Sequence, residues 1–404
     1  MRAQPRWYGV GVRRTLLLLA AACAGTPGVE RAAPGSRPES TVSGAQPRGL
    51  GMNDVSILLP LPRDPQLPVL ASAASSALID PAWFDALVTA RHDIAPRTGD
   101  PVALDDFQVV AIRFDLCDRS VIGACPAGVP GRLRLVLQPL YRVAGEVFAH
   151  DVALHAFYPI PAGDLAAVIA ELRAMAQRQP GPPGAPLAVS PAAGDAVYLA
   201  RLYQLVVRYA RSASLERLTV IGQVAGSAAF AWRFRGLDRS GDGFAAMAIP
   251  SIDAAEQSMQ VAGGDTIYLA DRLADQPSGF ALATNGARFA AAPPGDRVAA
   301  LEALAAIQNP ALHDTNDTQC IACHVASFLT ARRAATSGID LASLAGRFTS
   351  ARNLVTQSIA ATDPRVVRAF GWVAKFPAIS QRVANDTAQV LSEIEARFPP
   401  RQAP

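Results

Sequence analysis

Two runs of strict alternation constrain this chain more than anything else in it. Val110, Ile112, Phe114 and Leu116 alternate with polar residues, and so do Leu133, Leu135 and Leu137 in GRLRLVLQPLY. Successive side chains of a strand point to opposite faces, so this period of two predicts half-buried strands of an antiparallel sheet. Further strand-like runs occur at 151–160, 217–236, 243–249, 257–261 and 266–270. Between them, Leu165, Val168, Ile169 and Leu172 follow a helical period with Asp164 as a cap, and Val197 to Tyr209 reads as a buried helix. From Asp296 onward the pattern turns helical. Val298 to Ile307 forms one segment, 317–334 another, and Ile379, Val383, Thr387, Val390 and Ile394 form a stripe with Ser380 as N-cap. The expected fold class is α+β: a mainly antiparallel sheet body with helices over 55–294, then a mostly helical region over 295–404. A chain of 404 residues, half of them apolar, has the material for a sizeable core.

The first 54 residues are of a different kind. Arg2, Arg6, Arg13 and Arg14 precede the apolar run Leu16 to Ala22, the pattern of an export signal over 1–22. This run is too short to span a bilayer core of ~30 Å as a permanent helix. Ala20-Ala21-Ala22-Cys23 resembles the lipobox of bacterial lipoproteins, departing from it at Ala20, where Leu is commoner. The resemblance implies that Cys23 becomes the first mature residue and is lipidated on sulfur. The alternative is an ordinary signal cut near Ala22 or Ala24, and both readings place the protein outside the cytoplasm. Residues 23–54 are rich in Gly, Pro, Ser and Ala without periodicity, and are expected to form a disordered tether. The expected location is the cell envelope, lipid-anchored and periplasmic or at the outer membrane. With 37 basic against 34 acidic residues, the net charge of +3 gives no case for nucleic acid.

The remaining four cysteines fall into two pairs. Cys117 and Cys125 lie in a turn-rich stretch between two strand-like runs, where an oxidising compartment favours a structural disulfide over two free thiols. Cys320-Ile321-Ala322-Cys323-His324 resembles the haem-attachment motif of c-type cytochromes. The resemblance implies one covalent haem c, with the thiols of Cys320 and Cys323 joined to its vinyl groups and His324 as proximal iron ligand. Haem is attached to such proteins after export, which agrees with the N-terminal signal. A thioredoxin-like thiol pair, a zinc site and a local disulfide are the alternatives, although Ile-Ala suits the first poorly and no second Cys/His cluster supports the second.

The common cytochrome c pattern places a Met ligand downstream of the motif, and this chain has neither Met nor His after His324. A sixth ligand must come from upstream, or the iron is five-coordinate. His313, in the polar turn before the motif, is the nearest candidate. His150 and His155 flank one strand-like run and, an odd number apart, point to opposite faces, so at most one approaches. For His92, Met247 and Met259 an ordinary packing or surface role is the simpler reading. Phe328, Phe348, Phe370 and Trp372 are candidates to cover a haem face, and 369–373 reads either as a strand returning to the sheet or as pocket lining. Asp238 to Gly243 opens like a calcium loop, but Ile249 stands where a bidentate Glu is needed, so a hairpin turn is expected. These features suggest a membrane-tethered carrier that passes single electrons to redox partner proteins of the envelope, rather than an enzyme. A five-coordinate gas sensor and a non-haem binding lipoprotein are the other readings.

Overall fold

The alternating runs form the centre of one large sheet. The computed structural model describes residues 49–64, 69–70, 75–88, 103–117, 125–126, 128–178, 182–224, 230–262, 266–275, 277–356 and 363–399. The export signal, Cys23, the first part of the tether and His92 lie outside the described residues. Among these residues, one sheet joins ten strands: β1 (Ser56–Leu58), β2 (Phe107–Asp115), β3 (Gly131–Val143), β4 (Glu146–Ala149), β5 (Val152–Ile160), β6 (Arg217–Gln223), β7 (Phe230–Ser240), β8 (Gly243–Ala246), β9 (Glu256–Ala262) and β10 (Ile267–Ala270). Their order is β1-β2-β3-β5-β6-β7-β9-β10, with β4 on β3 and β8 on β7, and every pairing is antiparallel. A second, two-stranded sheet pairs β11 (Phe370–Val373) with β12 (Phe376–Ile379). The Asp238–Gly243 segment is a hairpin turn, with Ser240 opposite Gly243 and Gly241 at φ 56°.

The helices are α1 (Met52–Val55), α2 (Ser75–Leu78), α3 (Pro81–Val88), α4 (Leu165–Ala176), α5 (Ala196–Tyr209), α6 (Phe280–Ala283), α7 (Gly286–Ala291), α8 (Pro294–Ile307), α9 (Cys320–Ser337) and α10 (Gln381–Arg397). Ser380 caps α10, its side chain accepting from Val383 N, and Asp195 caps α5 in the same way. Asp164 stands at the N-cap position of α4 but makes no side-chain cap bond. The α+β class is as expected. The region 295–404 is helical in α8, α9 and α10, but the β11–β12 hairpin interrupts it.

The register sorts the sheet's side chains into two faces. Ile112, Leu135, Ala156 and Leu218 point one way with Leu133, Tyr158 and Val220, and α3, α4 and α5 cover them. Opposite lie the row Ser56, Arg113, Arg134, Phe157, Arg217, Asp238 and the row Leu58, Ala111, Val136, His155, Thr219, Gly236. Here the half-buried expectation fails. Arg113, Asp115 and Arg132 are at most 7 % exposed, because the last third of the chain roofs this polar face. Thr387 of α10 bonds Ser56 (Oγ1···Oγ 2.7 Å), and Asp386 pairs with Arg113 at 3.3 Å. Arg113 also donates to Asp115 at 2.6 Å, so the buried charges are paired as burial demands.

Two boundaries move. The tether does not run to 54: Leu50, Met52, Asn53 and Asp54 are buried, with α1 packed between α4 and α10. Their apolar side chains fill the core edge, and the Asn53 amide donates to Pro186 O (2.9 Å) while its oxygen accepts from Ala188 N (2.9 Å). The expected division at 294/295 falls inside one compact unit, Gln46–Pro404. The anticipated disulfide is present: Cys117 and Cys125 are bonded, with Cα atoms 5.7 Å apart, across the connection from β2 to β3.

Candidate functional site

The C-x-x-C-H motif forms the first turn and a half of α9, so Cys320, Cys323 and His324 lie at i, i+3 and i+4 on one helix face. The first turn of a helix has amide groups with no partner inside the helix. One of them, Ile321 N–H, donates to Oε1 of Gln257 (3.0 Å), a fully buried side chain of β9. Gln257 in turn donates to Oε1 of Gln319 (2.8 Å), the N-cap residue of α9, whose amide nitrogen donates to Ala274 O. This amide pair locks the start of α9 to the sheet.

His324 is held from the other side. Its Nδ1–H donates to Val367 O at 2.5 Å, which leaves Nε2 as the free, lone-pair nitrogen. Burial, with Arg368 adding to it and against the Val367 bond, pushes its pKa down to about 4, so the ring is neutral at ordinary pH. Two rings face it. Phe234 of β7 lies 5.1 Å away between centres at 59°, and His155 of β5 lies 6.5 Å away with its plane parallel to within 6°. His155 is held well below its ordinary pKa by burial and then by His324, Arg368 and Arg134, and its Nε2 is buried with no hydrogen-bond partner.

Cys320 and Cys323 are free thiols. Burial pushes Cys320 up to about 12, with Cys323 adding to it, and burial also raises Cys323. A thioredoxin-type pair needs the opposite, a depressed thiol pKa. Both thiols, His324 and His155 are nevertheless half-buried rather than sealed. These groups gather where α9 lies against β5 and β7 of the sheet. Among the described residues no group of three or more His, Cys, Asp or Glu converges as a metal-binding cluster.

The surroundings are basic. Arg134 lies 3.6 Å from Asp115, and Arg382 of α10 lies 3.0 Å from Asp386 while donating to Ile307 O (2.7 Å) and His313 O (2.6 Å). Arg368, 1 % exposed, donates through one nitrogen to Asp151 (3.0 Å), and its Nε and other Nη, like the Nε of Arg134, have no partner. Burial, only in part offset by Asp115, lowers Arg134 to about 10. Buried guanidinium donors, His155, two thiols and the Nε2 of His324 thus stand close together. These are donor types that a c-type haem would take: thiols and imidazole for the ring and its iron, guanidinium groups for its carboxylates.

The other sequence candidates lie elsewhere. His313 sits in the turn before α9 with Nδ1 3.4 Å from Asp317 Oδ1. His150 precedes β5 and stacks on Tyr141, 4.1 Å between centres. Met247 packs over Gly236, and Met259 is buried on β9. Phe328 meets Tyr268 edge-on, Phe348 lines a cleft beyond α9 with Gln308 and Gln381, and Trp372 donates its indole N–H to Leu59 O (3.0 Å). Sequence reasoning missed Phe234, Val367, Arg134 and Arg368. The signal that could have found Arg134 is its place in the alternating run of β3; Val367 acts through its backbone and leaves none.

No described helix is long and apolar enough to cross a membrane. Comparison with protein-family models finds no match, and neither do the searches of curated proteins and of solved structures.

Proposed function

We propose that this protein is an exported monohaem c-type carrier of single electrons. Covalent haem is bound through Cys320, Cys323 and His324, and the chain is tethered to the cell envelope by lipid on Cys23. The observation that carries the reading is the tautomer of His324: the Val367 carbonyl fixes the proton on Nδ1 and turns a neutral Nε2 out of the motif helix. Bound haem supplies a one-electron couple whose potential depends on its axial ligands and on the buried charges around it. The chain's own part is to orient and to insulate. Gln257 and Gln319 fix the first turn of α9, Phe234 covers His324, and Arg134 and Arg368 supply positive charge to acidic groups there. Redox partner proteins of the envelope are its expected partners.

The test is the mass of the 320–324 peptide from protein matured in a host that attaches haem c, together with an alkaline pyridine spectrum. One porphyrin per chain is expected, lost in Cys320→Ser/Cys323→Ser. An unmodified peptide from that host refutes the proposal. Lipidation is read separately, from the mass of the mature N-terminal peptide and its loss in Cys23→Ser.

A further inference from the structure

We infer that His155 is the sixth ligand of the haem iron, making the site a bis-histidine centre that is closed to diatomic gases; the inference rests on the haem reading above. Three observations meet at this residue. His155 comes from the middle of the sheet, on the face that α9 covers, and its ring faces that of His324. The rings are parallel to within 6° and their centres are 6.5 Å apart. Two imidazoles bonded to one ion at about 2 Å hold their ring centres roughly 6 Å apart, a separation close to the one observed. The Nε2 of His155 is buried with no hydrogen-bond partner, an unmet need that a metal–ligand bond would satisfy.

The rival ligands are placed less well. His313 is turned to Asp317, and Met247 lies over Gly236, two strands away from His155 along the same row. A sheet strand also suits the role, because β5 is paired on both edges and cannot drift as a loop could. The consequence is chemical. Two imidazoles leave no open coordination position and hold the potential below that of a Met/His pair.

The experiment is an optical and electron paramagnetic resonance comparison of the haem-loaded wild type with His155→Ala, His155→Met, His313→Ala and Met247→Leu. The wild type should be six-coordinate and low-spin in both oxidation states and indifferent to CO. His155→Ala should become high-spin, bind CO when reduced, and return to the low-spin spectrum on adding imidazole. His155→Met, which keeps an apolar side chain of similar length in case the alanine variant does not fold, should show a changed spectrum and a raised potential. His313→Ala and Met247→Leu should match the wild type. A low-spin, CO-insensitive His155→Ala overturns the inference and leaves the haem reading standing, as does a wild type that is high-spin and binds CO. A wild type with no covalent haem overturns both.

Discussion

Substituting Gly371 by Ala should be among the most damaging small changes in the protein. Gly371 has φ +146°, a region open almost to glycine alone, and strain there costs about 1–3 kcal/mol for another residue. A Cβ at this position would stand 2.5 Å from Oε1 of Gln138, about an ångström inside normal contact. Gln138 has no freedom to withdraw. Its oxygen accepts from Trp372 N (2.8 Å), and its nitrogen donates to Trp372 O (2.9 Å) and His150 O (3.0 Å), all in the interior. Displacing it breaks two or three of these bonds at about 1 kcal/mol each. The sum is about 3–6 kcal/mol, read as a fall in unfolding free energy by urea titration with the slope unchanged. In a Gln138→Ala background the collision has no partner, and Gly371→Ala should then cost only the strain. Equal costs in the two backgrounds, or a cost under about 1 kcal/mol in the first, would refute the reasoning.

Three further outcomes are expected. Replacing Cys117 and Cys125 by Ala opens a loop with a separation of 8 residues and should lower unfolding free energy by about 2–3 kcal/mol on the chain-entropy account, matched by adding reductant to the wild type. Asp386→Ala removes a carboxylate shared by buried Arg113 and Arg382 and should cost about 3–5 kcal/mol in the same titration, more than loss of the exposed Lys375–Glu146 pair by Glu146→Ala. Acid should weaken the haem-free Cys320→Ser/Cys323→Ser protein early. His324 is lowered to about 4 in the fold and titrates near 6.5 when unfolded, so the unfolded state binds the extra proton and stability falls as pH drops through that window. Between pH 6.5 and 5 His324 alone should remove about 2 kcal/mol, and His155 acts in the same direction; a flat profile there contradicts the burial of both rings.

Period was the readable part of the fold. Strands β2, β3, β5 and β9 and helices α4, α5, α8, α9 and α10 stand where alternation or a 3.6-residue stripe put them, down to the Ser380 cap. What period does not carry is what covers each face. Arg113, Asp115, Arg132 and Arg134 read as solvated because alternation separates two faces without naming their neighbours, and their cover comes from residues beyond 300. Leu50 and Met52 were lost for a related reason: a few apolar residues at the end of a Gly/Pro-rich stretch have no period to show. The same holds at the site. The motif is explicit in the sequence, but strand parity does not decide between His150 and His155 as the one that faces it, because His150 lies before β5. Which one does so depends on the register from β3 through β7 and on where α9 docks, and both are set by contacts between distant parts of the chain.

Thiols set this deep are poor partners for any reagent arriving from outside. Burial pushes the Cys320 thiol up to about 12, so the reactive thiolate is disfavoured at neutral pH. The turn that carries it is fastened to β9 through Gln257 and Gln319. On the proposed haem reading, thioether formation would therefore precede the docking of α9 on the sheet. A molecule that folded first would bury the sulfurs before haem reached them, so slow docking of α9 would favour a complete protein.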